Sequence, residues 1–213
     1  MKALVLALSL LAPLQALGDN EIPQPVIDAL SKTFPRHVPN ATYIEIGDLT
    51  GDGIAEVVTL LGDPQYNKYE EQDSEIRVAV LTGTTNDGYK VFALSHELPR
   101  DPNIFIFLRI QKQSLYLLTS GRGWSDEYQF KMRDGQLVLI GQESKEFGAI
   151  EEKKPFIQES FNYLTGIAIY SEKSEKGYKE KTGHFTTGKL IKLTEFNPSW
   201  EFFHMRPEHV EYP

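Results

Sequence analysis

Nine consecutive residues, Asp48-Leu49-Thr50-Gly51-Asp52-Gly53-Ile54-Ala55-Glu56, hold the oxygen-bearing side chains whose spacing says most about chemistry in this 213-residue chain. Asp48, Thr50, Asp52 and Glu56 occupy positions one, three, five and nine around two glycines. A hard cation such as Ca²⁺ takes roughly six to eight oxygens, some of them backbone carbonyls, and needs glycine where the chain turns sharply. In that reading Asp48, Thr50 and Asp52 give side-chain oxygens, Ile54 a carbonyl, and Glu56 closes the shell. The ion would be a structural clamp and no catalyst. The loop is not a helix-loop-helix EF-hand, because its twelfth position is Thr59 where that motif needs a bidentate glutamate. An Asp-Gly-rich turn, in which Asp48 and Asp52 accept backbone N–H bonds without an ion, uses the same residues.

The next informative stretch is Thr119-Ser120-Gly121-Arg122-Gly123-Trp124-Ser125. Exposed Arg122 and Trp124 are of the types that anchor interfaces or stack on sugars. Alternatively the glycines form a bulge and Trp124 covers the edge of the core. Ser199-Trp200-Glu201-Phe202-Phe203-His204-Met205 is too apolar for a free tail, so Trp200 packs on its own domain or docks on a partner. Nucleophilic catalysis finds little support. The chain has no cysteine, no Gly-x-Ser-x-Gly and no His-Glu-x-x-His, and its five histidines lie apart. A glycosidase needs only two carboxylates across a cleft, and with 30 acidic residues the sequence identifies no such pair.

The elements that must position these residues are mostly strands. Val26, Ile27, Leu30 and Phe34 share one face of a short helix that stops before Pro35. From Thr42 to Gly47 residues alternate apolar and polar, and the glycine loop returns the chain through Val57 to Leu61. Pairs follow at Ile76 to Leu81 with Tyr89 to Leu94, and at Ile104 to Ile110 with Ser114 to Ser120. Glu127 to Met132 joins Gln136 to Ile140 across Asp134-Gly135, a strong hairpin signal. Residues 142–158 are charged and read as a surface excursion; Ser160 to Tyr163, Ile167 to Tyr170 and a late strand at Leu190 to Phe196 complete the pattern. The lysine-rich run Glu172 to Lys181 reads as a hairpin tip or long loop. About ten short strands with turns between them predict a mainly β fold. It is a single antiparallel β domain, a sandwich or strongly bent meander resembling part of a propeller, with one short N-terminal helix.

Residues 1–18 combine Lys2, an apolar run, Pro13 and a small-residue ending, the pattern of a secretory signal peptide. The domain expected after it covers 19–213, divided into a helical segment 19–35, a β body 42–196 and a packed tail 197–213. A cysteine-free exported chain has no disulfides, so its core alone must hold the fold. Export without cysteine leans towards a periplasmic or secreted bacterial protein. Without Lys2 the 22 basic residues fall to 21 against 30 acidic, a formal charge of −9, which argues against nucleic acid as a partner.

The Asp48 to Glu56 loop resembles the calcium loops of integrin-type FG-GAP and related bacterial repeats, whose pattern is Asp-x-Asp/Asn-x-Asp-Gly-x-x-Asp. Thr50 and Glu56 depart from it. More broadly, residues 43–196 are similar to a group of exported bacterial proteins and lipoproteins of unassigned function, a resemblance that implies a domain type and a compartment and brings no catalytic residues. The expectation is a non-enzymatic exported binding protein that recognises a protein or glycan partner, with structural Ca²⁺ in the loop. One alternative is an inhibitor or immunity protein that inserts the Gly121 to Trp124 loop into a cell-wall hydrolase. The other is a carbohydrate-active hydrolase with paired carboxylates.

Overall fold

A run of apolar residues without polar alternation describes a strand covered on both faces, and Val57-Val58-Thr59-Leu60-Leu61 is such a run. The computed structural model describes residues 22–34, 39–62, 76–84, 88–98, 103–147, 155–198, 207 and 209–213. In it, strand β2 (Glu56–Leu61) is buried at every position. Val58 and Leu60 face one core while Val57 and Leu61 face another, beneath helix α1 (Gln24–Thr33). α1 has Pro23 at its N-cap and proline in its first turn, where the missing N–H is no loss. Its Val26 and Leu30 are fully buried. Each such burial is worth about 1.5–3 kcal/mol relative to exposure.

Two antiparallel sheets follow. The first is the meander β1 (Pro39–Gly47), β2, β3 (Arg77–Gly83) and β4 (Tyr89–Leu94). The second has seven strands, β5 (Phe105–Gln111), β6 (Ser114–Gly121), β7 (Trp124–Arg133), β8 (Gln136–Glu146), β9 (Phe156–Asn162), β10 (Ile167–Ser174) and β11 (Gly177–His184). Asp134 and Gly135 both take positive φ, 49° and 73°, as the tight turn between β7 and β8 requires. Val58, Val78 and Val80 of the first sheet pack with Leu117, Tyr128, Phe130 and Leu139 of the second. Helix, four-stranded sheet and half of the seven-stranded sheet therefore form three layers, and no barrel closes among the described residues.

Several expectations are corrected. Residues 142–146 and 156–158 are strand and no surface excursion, because β8 runs to Glu146 and β9 starts at Phe156. The regular period is hidden by a bulge at Ile140 of β8, which the pairing skips between Gly141 opposite Gln129 and Leu139 opposite Phe130. Before it Leu137 and Leu139 point inward, and after it Gln142 and Ser144 do, so the period of two is broken in mid-strand. Leu190 to Phe196 is not a strand either. Lys192 makes one bridge to Val138, Leu193–Glu195 is a 3-10 turn, and Phe196 is fully buried between the sheets. Its ring stands edge-on to Tyr128 (4.9 Å) and Phe130 (5.1 Å), so this segment plugs the sandwich. Glu172 to Lys181 is a regular hairpin, with Lys173 opposite Tyr178 and Ser174 opposite Gly177, which makes eleven strands where about ten were expected. β11 is an edge strand whose outer side is bridged at His184 by Glu211, and exposed lysines guard the rest of that edge.

Near the C-terminus Glu211 pairs with His184, and Val210 and Tyr212 pack beside Phe161 and Phe185. The leader 1–18 and the stretch Ser199 to Met205 lie outside the described residues. Among the described residues no helix is long and apolar enough to cross a membrane.

Candidate functional site

Three places could carry function, and the Asp48 to Glu56 loop comes first. Gly51 and Gly53 both have φ near +82°, so the sharp turns expected of these glycines are present. The carboxylates are engaged within the loop. Asp48 accepts from Gly51 N (2.6 Å) and Gly53 N (3.2 Å), and Asp52 accepts from Ile54 N (2.8 Å). Glu56 is only 1% exposed. One of its oxygens accepts from Leu49 N (2.7 Å) and Thr50 N (3.2 Å), and the other from the Thr82 hydroxyl (3.4 Å). Thr50 and Ile54 are exposed, and the Ile54 side chain lies across Gly83, where an added Cβ would meet it at 2.8 Å. Among the described residues no three His, Asp or Glu side chains gather about a point that could hold a metal ion. Glu56 points inward as a buried staple, Asp52 caps an exposed turn, and the two do not converge with Asp48. This donor set fits a hydrogen-bonded turn better than a coordination shell.

In the β6 to β7 turn, Arg122 is exposed and Trp124 is half-buried. A Cβ on Gly121 would sit 2.5–2.8 Å from the Trp124 ring, so the indole folds back flat over that glycine. Phe147 N donates to Gly123 O (2.7 Å) and ties the turn to the end of β8. Only Arg122 projects. Trp200 lies outside the described residues.

The third place is the outward face of the seven-stranded sheet, and no sequence motif marks it. On β5 the inward residues Ile106 and Leu108 are buried, while outward Phe105 and Phe107 are 44% and 47% exposed. Arg109 follows on the same face, its guanidinium 4.6 Å from the Tyr116 ring centroid and 3.0 Å from Glu127. Next to Phe107, Leu118 of β6 continues the patch. At the other end Ile167 and Ile169 of β10 are 37% and 39% exposed. Between them the face is polar, with Glu127 opposite Glu143 and Glu143 opposite Ser160 across neighbouring strands. A groove of about 240 Å³ opens there over Gly141. The signal available in sequence is the run Ile104-Phe105-Ile106-Phe107-Leu108, apolar on both faces like β2, although here Phe105 and Phe107 stay exposed.

The inward face of the same strands is also polar. Ser144 donates to buried Asp126, Gln142 donates to Ser144 (3.3 Å), and Tyr163 donates to Gln142 (2.8 Å). Burial, and then the charge of Asp126, pushes the Tyr163 phenol well above its ordinary pKa. This chain of hydrogen bonds links buried Asp126 through Ser144 and Gln142 to Tyr163, and it reads as a structural network. No protein-family model matches the chain, and neither does any curated protein or solved structure.

Proposed function

We propose that the chain is an exported, non-enzymatic binding protein that meets a protein or glycan partner with the outward face of its seven-stranded sheet. The observation that carries this reading is the exposed cluster of Phe105, Phe107, Arg109, Tyr116 and Leu118 on one face, over which no layer packs among the described residues. Aromatic and arginine side chains dominate recognition surfaces because they bury much area with few rotatable bonds. Export rests on the leader-like residues 1–18. The inhibitor reading loses its wedge, since Trp124 lies on Gly121 and leaves Arg122 alone at the tip. The hydrolase reading needs two carboxylates facing each other across a bound sugar, whereas Glu127 and Glu143 stand side by side on neighbouring strands, each beside a cation. In the Asp48 to Glu56 loop, Glu56 does the clamping that the calcium reading assigns to an ion.

The test is a double variant, Phe105→Ser with Phe107→Ser, assayed for retention of envelope proteins and of polysaccharide on the immobilised protein. Both positions are near half-exposed, so the melting temperature should fall by only a few degrees. Retention should weaken about tenfold or more. Undiminished retention would overturn the proposal.

A further inference from the structure

The groove over Gly141 deepens this reading, on which it rests: the geometry points to a binding site for one saccharide unit, so that the partner is a glycan. The floor exists because β8 presents no side chain there. An added Cβ at Gly141 would lie 3.2 Å from Gln129 Oε1 and 3.7 Å from Phe161 O. Gln129 Nε2 donates to Ser114 (3.2 Å), which fixes the amide with its oxygen over the floor. Around it stand Glu127, Glu143, Ser160 and Asn162, with Tyr116 as a wall. Asn162 spends its Oδ1 on Leu164 N (3.0 Å) and Thr165 N (3.1 Å), leaving its Nδ2 as the donor end. The groove, about 240 Å³, has room for a single sugar ring.

Charge decides between a sugar and a cation. Two carboxylates directly opposite on neighbouring strands destabilise a sheet, so Glu127 and Glu143 need compensation. Glu127 has Arg109 at 3.0 Å, and Glu143 is held by Lys145 and by Gln158 Nε2 (3.0 Å). The four charges sum to zero, which removes most of the attraction for a metal ion or an amine. What remains is lone pairs, since an ionised carboxylate has about four acceptor sites and these contacts do not fill them. A ligand that brings several neutral O–H donors matches a groove of carboxylate, amide and hydroxyl acceptors with an aromatic wall. A polyhydroxylated ring is that ligand.

The experiment is titration calorimetry of the full-length protein with tetrasaccharides of glucose, mannose and N-acetylglucosamine, and with calcium chloride and spermidine as cationic probes. At least one tetrasaccharide should bind while the cations give no heat. Gly141→Leu, which fills the groove, should weaken that binding about tenfold or more. Glu143→Gln should weaken it to a lesser extent, and it covers the case in which the leucine variant fails to fold. Absence of heat with all three sugars, heat with a cation alone, or equal sugar affinity in wild type and both variants would overturn the inference. If the Phe105/Phe107 variant loses envelope retention while Gly141→Leu keeps it, the groove fails and the recognition face stands. If neither variant changes retention, both fail.

Discussion

Replacing Glu56 with alanine separates a loop held by hydrogen bonds from one held by an ion. Its carboxylate accepts two backbone N–H groups at 2.7 and 3.2 Å and the Thr82 hydroxyl at 3.4 Å, from a position 1% exposed. Hydrogen bonds to a charged group contribute about 1.5–3 kcal/mol each, and removing the acceptor strands the buried donors. The Thr50 bond is long and borders solvent, and the Thr82 contact is at the limit of a hydrogen bond, so a total of about 3 kcal/mol follows. For a domain of this size 1 kcal/mol moves the melting temperature by about 2–4 °C, so Glu56→Ala should lose about 6–12 °C. Glu56→Gln keeps one acceptor oxygen and should lose about half as much. The assay is thermal unfolding with chelator and with ~1 mM calcium, a concentration at which an extracellular-type site would add about 0.4–1.4 kcal/mol. The account predicts the same wild-type midpoint in both buffers. A calcium-dependent rise in wild type that vanishes in Glu56→Ala would refute it, and so would an alanine variant as stable as wild type.

Phe196→Ala removes a fully buried ring from its edge-on contacts with Tyr128 and Phe130, and should cost about 3–5 kcal/mol in urea denaturation. Gly121→Val drives a side chain into the Trp124 ring and should cost about 1–3 kcal/mol, with a shifted tryptophan emission; an unchanged spectrum would mean that the indole does not lie there. Tyr163 gives a pH dependence whose sign is fixed. Its folded-state pKa is raised by burial and then by Asp126, so its contribution is fully present below the unfolded value near ~10. As pH rises beyond that, the unfolded chain binds fewer protons than the folded one, and stability falls by about 1.4 kcal/mol per unit from this group. Tyr163→Phe should flatten that slope while losing the hydrogen bond to Gln142.

Much of the fold is legible where side-chain period and turn chemistry agree. Tyr89 to Leu94 and the Asp134-Gly135 hairpin follow from alternation and from φ > 0 residues alone. The reading fails where backbone pairing overrides composition. β11 holds its place through its ladder to β10 although nearly all its side chains are exposed, and the Ile140 bulge hides a regular strand by switching its inward residues in mid-course. Leu190 to Phe196 has the composition of a strand, yet a chain that must cross the end of a sandwich inserts Phe196 and forms no ladder. The site was least legible. Asp48, Asp52 and Glu56 have the right spacing for an ion, but spacing does not say whether carboxylates face each other or backbone N–H groups. Phe105 and Phe107 are legible in sequence as strand residues, whereas their exposure depends on what packs over β5, which composition does not encode.

The most direct test of the central claim, that the outward face of the seven-stranded sheet is the recognition surface, is oxidative footprinting of the protein with and without the envelope fraction it retains. The account predicts protection of Phe105, Phe107 and Tyr116 on that face, and no change at Ile54, which is 48% exposed in the Asp48 to Glu56 loop. Protection at Ile54 with Phe105 and Phe107 still open to oxidation would contradict it.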